Sequence, residues 1–273
     1  MSTVVDVPAG MFRAALGAVL PHAGKATDDT PDLGRVRLHL TATHLLVWAT
    51  DRLTAGLARV EVGEFVTGEL DGCDLPADSV RKVLAVFTPP SNPDARSMWL
   101  DDPLRVEVTD KHVRVTEVGR MVQGESLTVD RVIPAGEDRY PDVPRLLVEA
   151  IAGQDPLVPA RPDMGAASRF ATAAKAYAAI GSRPVVYLLP GADVVLARIG
   201  RAFIGTCPNH AEARDAVTLL TNAWADELAP LRRPVPVTVP DDVVDGLRDQ
   251  AERLFREHGT TVEFTVVRGG DES

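Results

Sequence analysis

The sequence predicts an α+β chain of two domains, each with two helices packed on antiparallel sheets. Three observations predict it. Val7-Pro8-Ala9-Gly10-Met11-Phe12-Arg13 and Leu75-Pro76-Ala77-Asp78-Ser79-Val80-Arg81 repeat one pattern: an apolar run turns through Pro-Ala into a helix, with Arg at the same offset. Each copy is followed by segments that alternate polar and apolar residues, the signature of half-buried strands. The pattern then restarts beyond residues 150–162, where Gly153, Pro156, Pro159 and Pro162 mark a linker. Internal repetition constrains architecture before any single residue does.

The elements follow in order. Residues 3–7 read as a strand and 8–20 as a helix, with Pro8 at its first position, where no N–H is needed. Phe12, Ala15, Leu16 and Val19 have the spacing that buries one helix face. Arg35-Val36-Arg37-Leu38-His39-Leu40 and Leu45-Leu46-Val47-Trp48-Ala49-Thr50 form a hairpin, and strands at 57–62 and 65–70 continue it. In the second copy Val80, Val83, Leu84 and Phe87 mark the helix face. Pro89, Pro90, Asn92 and Pro93 end that helix. A hairpin at 104–108 and 112–116 and a strand at 124–129 complete a first domain, residues 1–148.

After a linker at 149–163 the second domain runs from 164 to 273. It opens with an Ala-rich helix over 164–180 that shows Phe170 and Tyr177 on one side. A hairpin at 185–189 and 194–199 and a strand at 202–207 follow. Residues 235–239 lead through Pro240 into a helix at 241–258, and a strand at 261–267 closes the pattern. Residues 211–228 favour helix, although 216–221 would also pass as a strand. Only one strand follows the last helix, so this domain reads as shortened.

The 273 residues carry a net charge of −10, which argues against a surface coated with phosphate-binding charge but leaves room for a segregated basic face. No apolar run reaches the ~20 residues of a membrane span. The first residues lack the charged and apolar regions of a signal peptide, so a cytoplasmic protein is expected. Cys73 and Cys207 read as reduced structural thiols. Cys207-Pro208-Asn209-His210 has a C-x-x-H spacing without the second ligand pair that zinc needs. There is no phosphate-cradling glycine loop and no nucleophile elbow. No catalytic residue, metal or cofactor is expected.

The order of these segments resembles the bacterial DNA polymerase III β sliding clamp family. Leu45-Leu46-Val47-Trp48-Ala49-Thr50-Asp51 is similar to that family's Ala-Thr-Asp segment at the end of an early hairpin. Asp74-Leu75-Pro76-Ala77 resembles its junction from strand to second helix. Tyr140-Pro141-Asp142, followed by Arg145-Leu146-Leu147, resembles the segment that leads into the next domain. The resemblance runs in order over most of residues 1–205. It implies a DNA-clamp fold and a non-enzymatic ring on duplex DNA that tethers a DNA polymerase or other clamp-binding proteins. DNA contacts would be non-specific and sensitive to salt. Two domains per chain imply a homotrimer.

The resemblance also implies site residues. Arg13, Arg81, Lys82, Arg169 and Lys175 on the helices, with Lys25 and Arg183 just beyond, would face DNA; each is equally readable as part of a solvated helix face. Thr50, Arg52, Leu53, Pro141, Arg145 and Leu146 would form one half of a pocket for partner peptides, against a reading as ordinary interdomain packing. Asp51 reads as a turn cap. Against DNA, the expected helix at 241–258 carries Asp241, Asp242, Asp245, Asp249, Glu252 and Glu257. The rival readings are an open clamp-like adaptor or decoy, which binds clamp partners or another clamp without encircling DNA, and an unrelated α+β enzyme.

Overall fold

Each copy of the repeat gives its first strand to the other copy's hairpin. β1 (Thr3–Pro8) lies beside β7 (Pro103–Val108), which pairs with β8 (His112–Val118) and then β9 (Gln123–Asp130). β6 (Gly72–Pro76) lies beside β2 (Arg35–Leu40), which pairs with β3 (His44–Thr50) and then β4 (Ala55–Glu61). The two strand-to-helix corners are sealed alike. Ala9 N–H bonds the Asp102 carbonyl just before β7, and Ala77 N–H bonds the Gly34 carbonyl just before β2, both at 2.9 Å. The repeat is thus a pair of interlocked units.

The computed structural model describes residues 2–210 except 28, 31, 64, 67–71, 119–122, 135–137, 156, 158–159 and 192. These belong to one compact unit, Met1–Ala211. The expected elements at 211–228, 235–239, 241–258 and 261–267, and all but the first two residues of the strand at 65–70, lie outside the described residues.

α1 (Ala9–Val19) and α2 (Ala77–Val86) follow the two corners. Pro8 and Pro76 are extended, with ψ of 128° and 142°, and so sit at the helix caps, one residue outside the position expected for them. Phe12, Leu16 and Val19 of α1 and Val80 and Val83 of α2 are buried, as the helical spacing requires.

Two helices were not anticipated. α3 (Pro93–Asp101) starts at Pro93, one of the prolines that end α2. Asn92 caps it by accepting from Asp94 N–H at 2.9 Å and Ala95 N–H at 3.1 Å. Proline there both stops one helix and opens another. α4 (Val143–Ala152) is capped by Asp142, which accepts from Arg145 N–H at 3.1 Å, and extends into the expected linker.

Beyond it, α5 (Met164–Ala178) packs against α1. β10 (Val186–Pro190), β11 (Val194–Ile199) and β12 (Phe203–Pro208) follow, and β12 pairs with β4. With the short β5 (Phe65–Val66) beside β1, the result is two antiparallel sheets, β5-β1-β7-β8-β9 and β10-β11-β12-β4-β3-β2-β6.

The seven-stranded sheet is apolar on both faces. Val36, Val47, Ala58, Val195, Ala197 and Phe203 join the main core with α1, α2 and α5. Trp48, Ala55 and Leu196 face the other way, into a second core with Tyr140 and with Val143, Leu147 and Ala150 of α4. That second layer positions the candidate site.

Candidate functional site

The β3–β4 connection is a tight loop held by its own side chains. Asp51 Oδ1 accepts from Leu53 N–H at 3.0 Å and Thr54 N–H at 2.6 Å. The buried Thr50 hydroxyl donates to the Thr54 carbonyl at 2.8 Å and accepts from Arg52 N–H at 3.0 Å. Arg52 takes a left-handed conformation, φ 73°, which costs a non-glycine residue about 1–2 kcal/mol. The loop's hydrogen bonds hold this conformation and leave Leu53 70% exposed. A large apolar side chain fixed outward by a rigid loop is a candidate contact residue.

Side chains from α5 and from the segment after α1 fix the loop from behind. Arg169 of α5 pairs with the Asp51 carboxylate and donates to the Thr54 hydroxyl. Burial alone would raise the Asp51 pKa, but Thr54 N–H and the Arg169 guanidinium hold it below the usual carboxylate value. The Thr54 hydroxyl donates to Asp51 at 3.2 Å and lies 3.1 Å from His22 Nδ1. With its proton committed to Asp51, that hydroxyl accepts from His22, which fixes the tautomer with the proton on Nδ1. Burial, reinforced by the Arg169 charge, pushes the His22 pKa down to about 4.

The Tyr140-Pro141-Asp142 segment and α4 are anchored by a network absent from the sequence-based candidates. Arg37 grips Asp74 with Nε at 2.6 Å and Nη2 at 2.8 Å, and the buried Arg35 reaches Asp74 at 2.9 Å and Asp138 at 2.5 Å. Both guanidiniums lie over the Tyr140 ring, 4.7 and 4.9 Å from its centroid, and Tyr140 Oη donates to the Arg35 carbonyl at 3.2 Å. Burial raises the Tyr140 pKa, so the phenol keeps the proton it donates. Arg at alternate positions of β2 and a lone Asp in the apolar β6 were the available signal.

Between this loop and α4 lies a groove of 460 Å³. Arg52, Leu53 and Leu146 line it, together with Glu149 on α4, Asp193 just before β11, Val194 on β11 and Thr206 on β12. Three of the six predicted pocket residues therefore converge. Thr50 is buried and supports the loop from within. Pro141 precedes the Asp142 cap and Arg145 lies in the first turn of α4; neither lines the groove, and Arg145 Nε bonds Glu149 at 2.9 Å along the helix. The buried Cys207 also borders the groove; burial pushes its thiol up to about 11. His210 lies 4.0 Å from Asp163. Among the described residues no three His, Cys, Asp or Glu side chains are placed to hold a metal ion.

The predicted DNA-facing residues divide. Arg13 donates to the carbonyls of Leu84 and Phe87 at the end of α2, and Arg169 holds the β3–β4 loop. Arg81 is exposed and pairs with Asp78. Lys25, Lys82, Lys175 and Arg183 are exposed and form no ion pair with another described residue. Among the described residues no helix is long and apolar enough to cross a membrane.

No family model matches the sequence, and no curated protein matches it. Solved structures do. The DNA polymerase III β subunit of Thermotoga maritima aligns with a TM-score of 0.50 at 12% identity, over 80% of this chain and 67% of that one. The β subunit of Borrelia burgdorferi, in complex with a natural product, aligns with a TM-score of 0.51 at 10% identity, over 77% and 64%. A chain from the complex of the FEN-1 C-terminal region with A. fulgidus PCNA aligns with a TM-score of 0.50 at 11% identity, over 78% of this chain and all of that one. This chain thus spans about two thirds of the length of the two β subunits. At such identities the likeness is one of fold. The interlocked strand–helix units and their two antiparallel sheets make that fold an α+β DNA-clamp-like fold.

Proposed function

We propose that this chain is a clamp-like processivity factor, a non-enzymatic cytoplasmic protein that encircles duplex DNA as a homotrimer and tethers a DNA polymerase or another clamp-binding protein. The observation that carries the reading is the convergence of Arg52, Leu53 and Leu146 on one groove in a chain of clamp-like fold. Encirclement needs no catalytic group and only non-specific phosphate contacts, which Lys82, Lys175 and the other exposed cations supply. Two measurements test it together. Light scattering is expected to give a trimer mass. A nicked circular duplex is expected to retain the protein, and the same duplex linearised is expected to lose it by sliding from the ends. A monomer that is released equally from both would overturn the ring.

One observation favours a second reading. Arg13 and Arg169, two of the helix cations assigned to DNA, are engaged inside the fold. An open clamp-like adaptor needs the groove but no DNA-lining charge. It is expected to bind a polymerase's clamp-binding peptide as a monomer, with no topological retention.

A further inference from the structure

α4 separates two grooves on the outer face of the seven-stranded sheet, and the second has a different chemistry. It has a volume of 550 Å³, and its apolar lining includes Leu57, Leu189, Leu196 and Ile204 from four neighbouring strands and Ile151 from α4. Arg59, Arg198 and Arg201 add charge and Gln154 a neutral amide; among the described residues the lining contains no carboxylate. In a chain of net charge −10 that is a marked local reversal.

Two of the three arginines, Arg59 and Arg198, are held in place by backbone carbonyls. Arg59 Nε donates to the Arg201 carbonyl at 2.5 Å, and Arg198 Nε donates to the Gly200 carbonyl at 2.8 Å. Gly200, at φ 54°, makes the tight turn that brings Arg198 and Arg201 to the same end of the β11–β12 hairpin. All three side chains are exposed, and none forms an ion pair with another described residue. Guanidiniums fixed through Nε keep their outer N–H groups available for a carboxylate and lose less entropy on binding than free side chains.

We infer that this second groove is a docking site for an acidic, leucine-rich peptide segment of a partner protein. Charge complementarity selects the acidic residues, and the aliphatic floor selects the apolar ones. Single-stranded nucleic acid fits less well, because among the described residues the apolar lining is aliphatic apart from the buried Phe203; the exposed Tyr187, opposite Arg198 on β10, lies outside it. The site is separate from the Leu53 groove and does not depend on whether the chain encircles DNA.

The test is fluorescence anisotropy with the full chain and a short synthetic peptide that alternates leucine with glutamate. Saturable binding is expected. Arg198→Glu combined with Arg201→Glu is expected to weaken it by about tenfold or more, as for hot-spot charges in a desolvated groove. Leu53→Ser, in the other groove, is expected to leave it unchanged. If the double Glu variant shifts thermal unfolding, Arg198→Gln with Arg201→Gln gives the same reading with less charge change. Absence of saturable binding, equal binding by the arginine variants, or tighter binding of oligothymidylate in competition would each overturn the proposal. Weakening by Leu53→Ser with no effect of the arginine variants would place the peptide in the other groove and likewise overturn the proposal.

Discussion

Arg13 on α1 donates a hydrogen bond to the carbonyl of Phe87, 2.9 Å away at the end of α2, and a second one to Leu84. The bond joins the two copies of the repeat through the one basic position they share. Arg81 holds the same place in the second copy, yet it is exposed and pairs only with Asp78, one turn away. Burial lowers the Arg13 pKa, as desolvation of a charge must, and the helix's C-terminal carbonyls are the groups best suited to receive it. Equivalence in sequence thus hides two different roles.

Arg13→Gln is therefore expected to destabilise the fold by about 1–3 kcal/mol, the range for hydrogen bonds from a charged group. Arg81→Gln is expected to stay within about 0.5 kcal/mol, since an exposed pair contributes little. Urea denaturation of the two variants side by side checks this. Equal effects would show that the Arg13 bonds contribute nothing specific.

Acid should destabilise the protein through His22. Its pKa falls from 6.5 to about 4 on folding, so below pH 6.5 the unfolded chain takes up a proton that the folded chain refuses. Stability is unaffected by this group above pH 6.5, declines as pH falls toward 4, and levels off below. The full loss is about 3 kcal/mol. Asp51 acts in a lower window: its folded pKa lies below the ordinary value, so its contribution disappears only as pH falls through that depressed pKa. Unfolding free energies measured across this range should show a flatter profile in His22→Leu than in the parent. An unchanged slope between pH 6.5 and 4 would exclude His22 as the source.

The fold was legible where one physical signal dominated. The Pro-Ala corners, the alternation in β2, β3, β7 and β8, and the apolar face of α1 all report local geometry, and the structure has them. What periodicity could not report is which strand pairs with which, so the exchange of β1 and β6 between hairpins had no local signature. α3 was hidden because Pro93 reads as a stop unless Asn92 is recognised as its cap. α4 was hidden because its sequence follows Tyr140-Pro141-Asp142, a stretch that resembles a connection. For the site, the resemblance named Arg52, Leu53 and Leu146, which the fold places on one groove. It could not show that Arg13 and Arg169 turn inward, because an arginine on a helix looks the same in sequence whether it meets solvent or a neighbouring carbonyl.

The groove beside α4 should tolerate substitution without loss of stability. Leu53 is 70% exposed and Leu146 43%, so Leu53→Ser and Leu146→Ser remove little buried area and are expected to change stability by less than about 0.5 kcal/mol. Binding of a clamp-binding peptide from a DNA polymerase, measured by calorimetry, is expected to weaken by about tenfold or more in each, because central apolar contacts dominate such interfaces. Retained affinity in both would show that partners dock elsewhere.

Charge reversal on α2 separates DNA contact from folding. Arg81 and Lys82 are exposed, and neither supports another element; Arg81 bonds only Asp78 on its own helix. Arg81→Glu with Lys82→Glu is therefore expected to leave the unfolding midpoint nearly unchanged while lowering retention on nicked circular DNA. Non-specific phosphate contacts weaken with salt roughly in proportion to the number of contacts, so the variant should also show a shallower dependence of retention on salt. Arg169→Glu is the contrasting case. It would place a carboxylate beside Asp51 and release the β3–β4 loop, so its expected effect is on stability and on the Leu53 groove together. If the α2 double variant is retained as well as the parent at low salt, α2 does not face DNA, and Lys25, Lys175 and Arg183 are left as the exposed members of the proposed DNA-facing set.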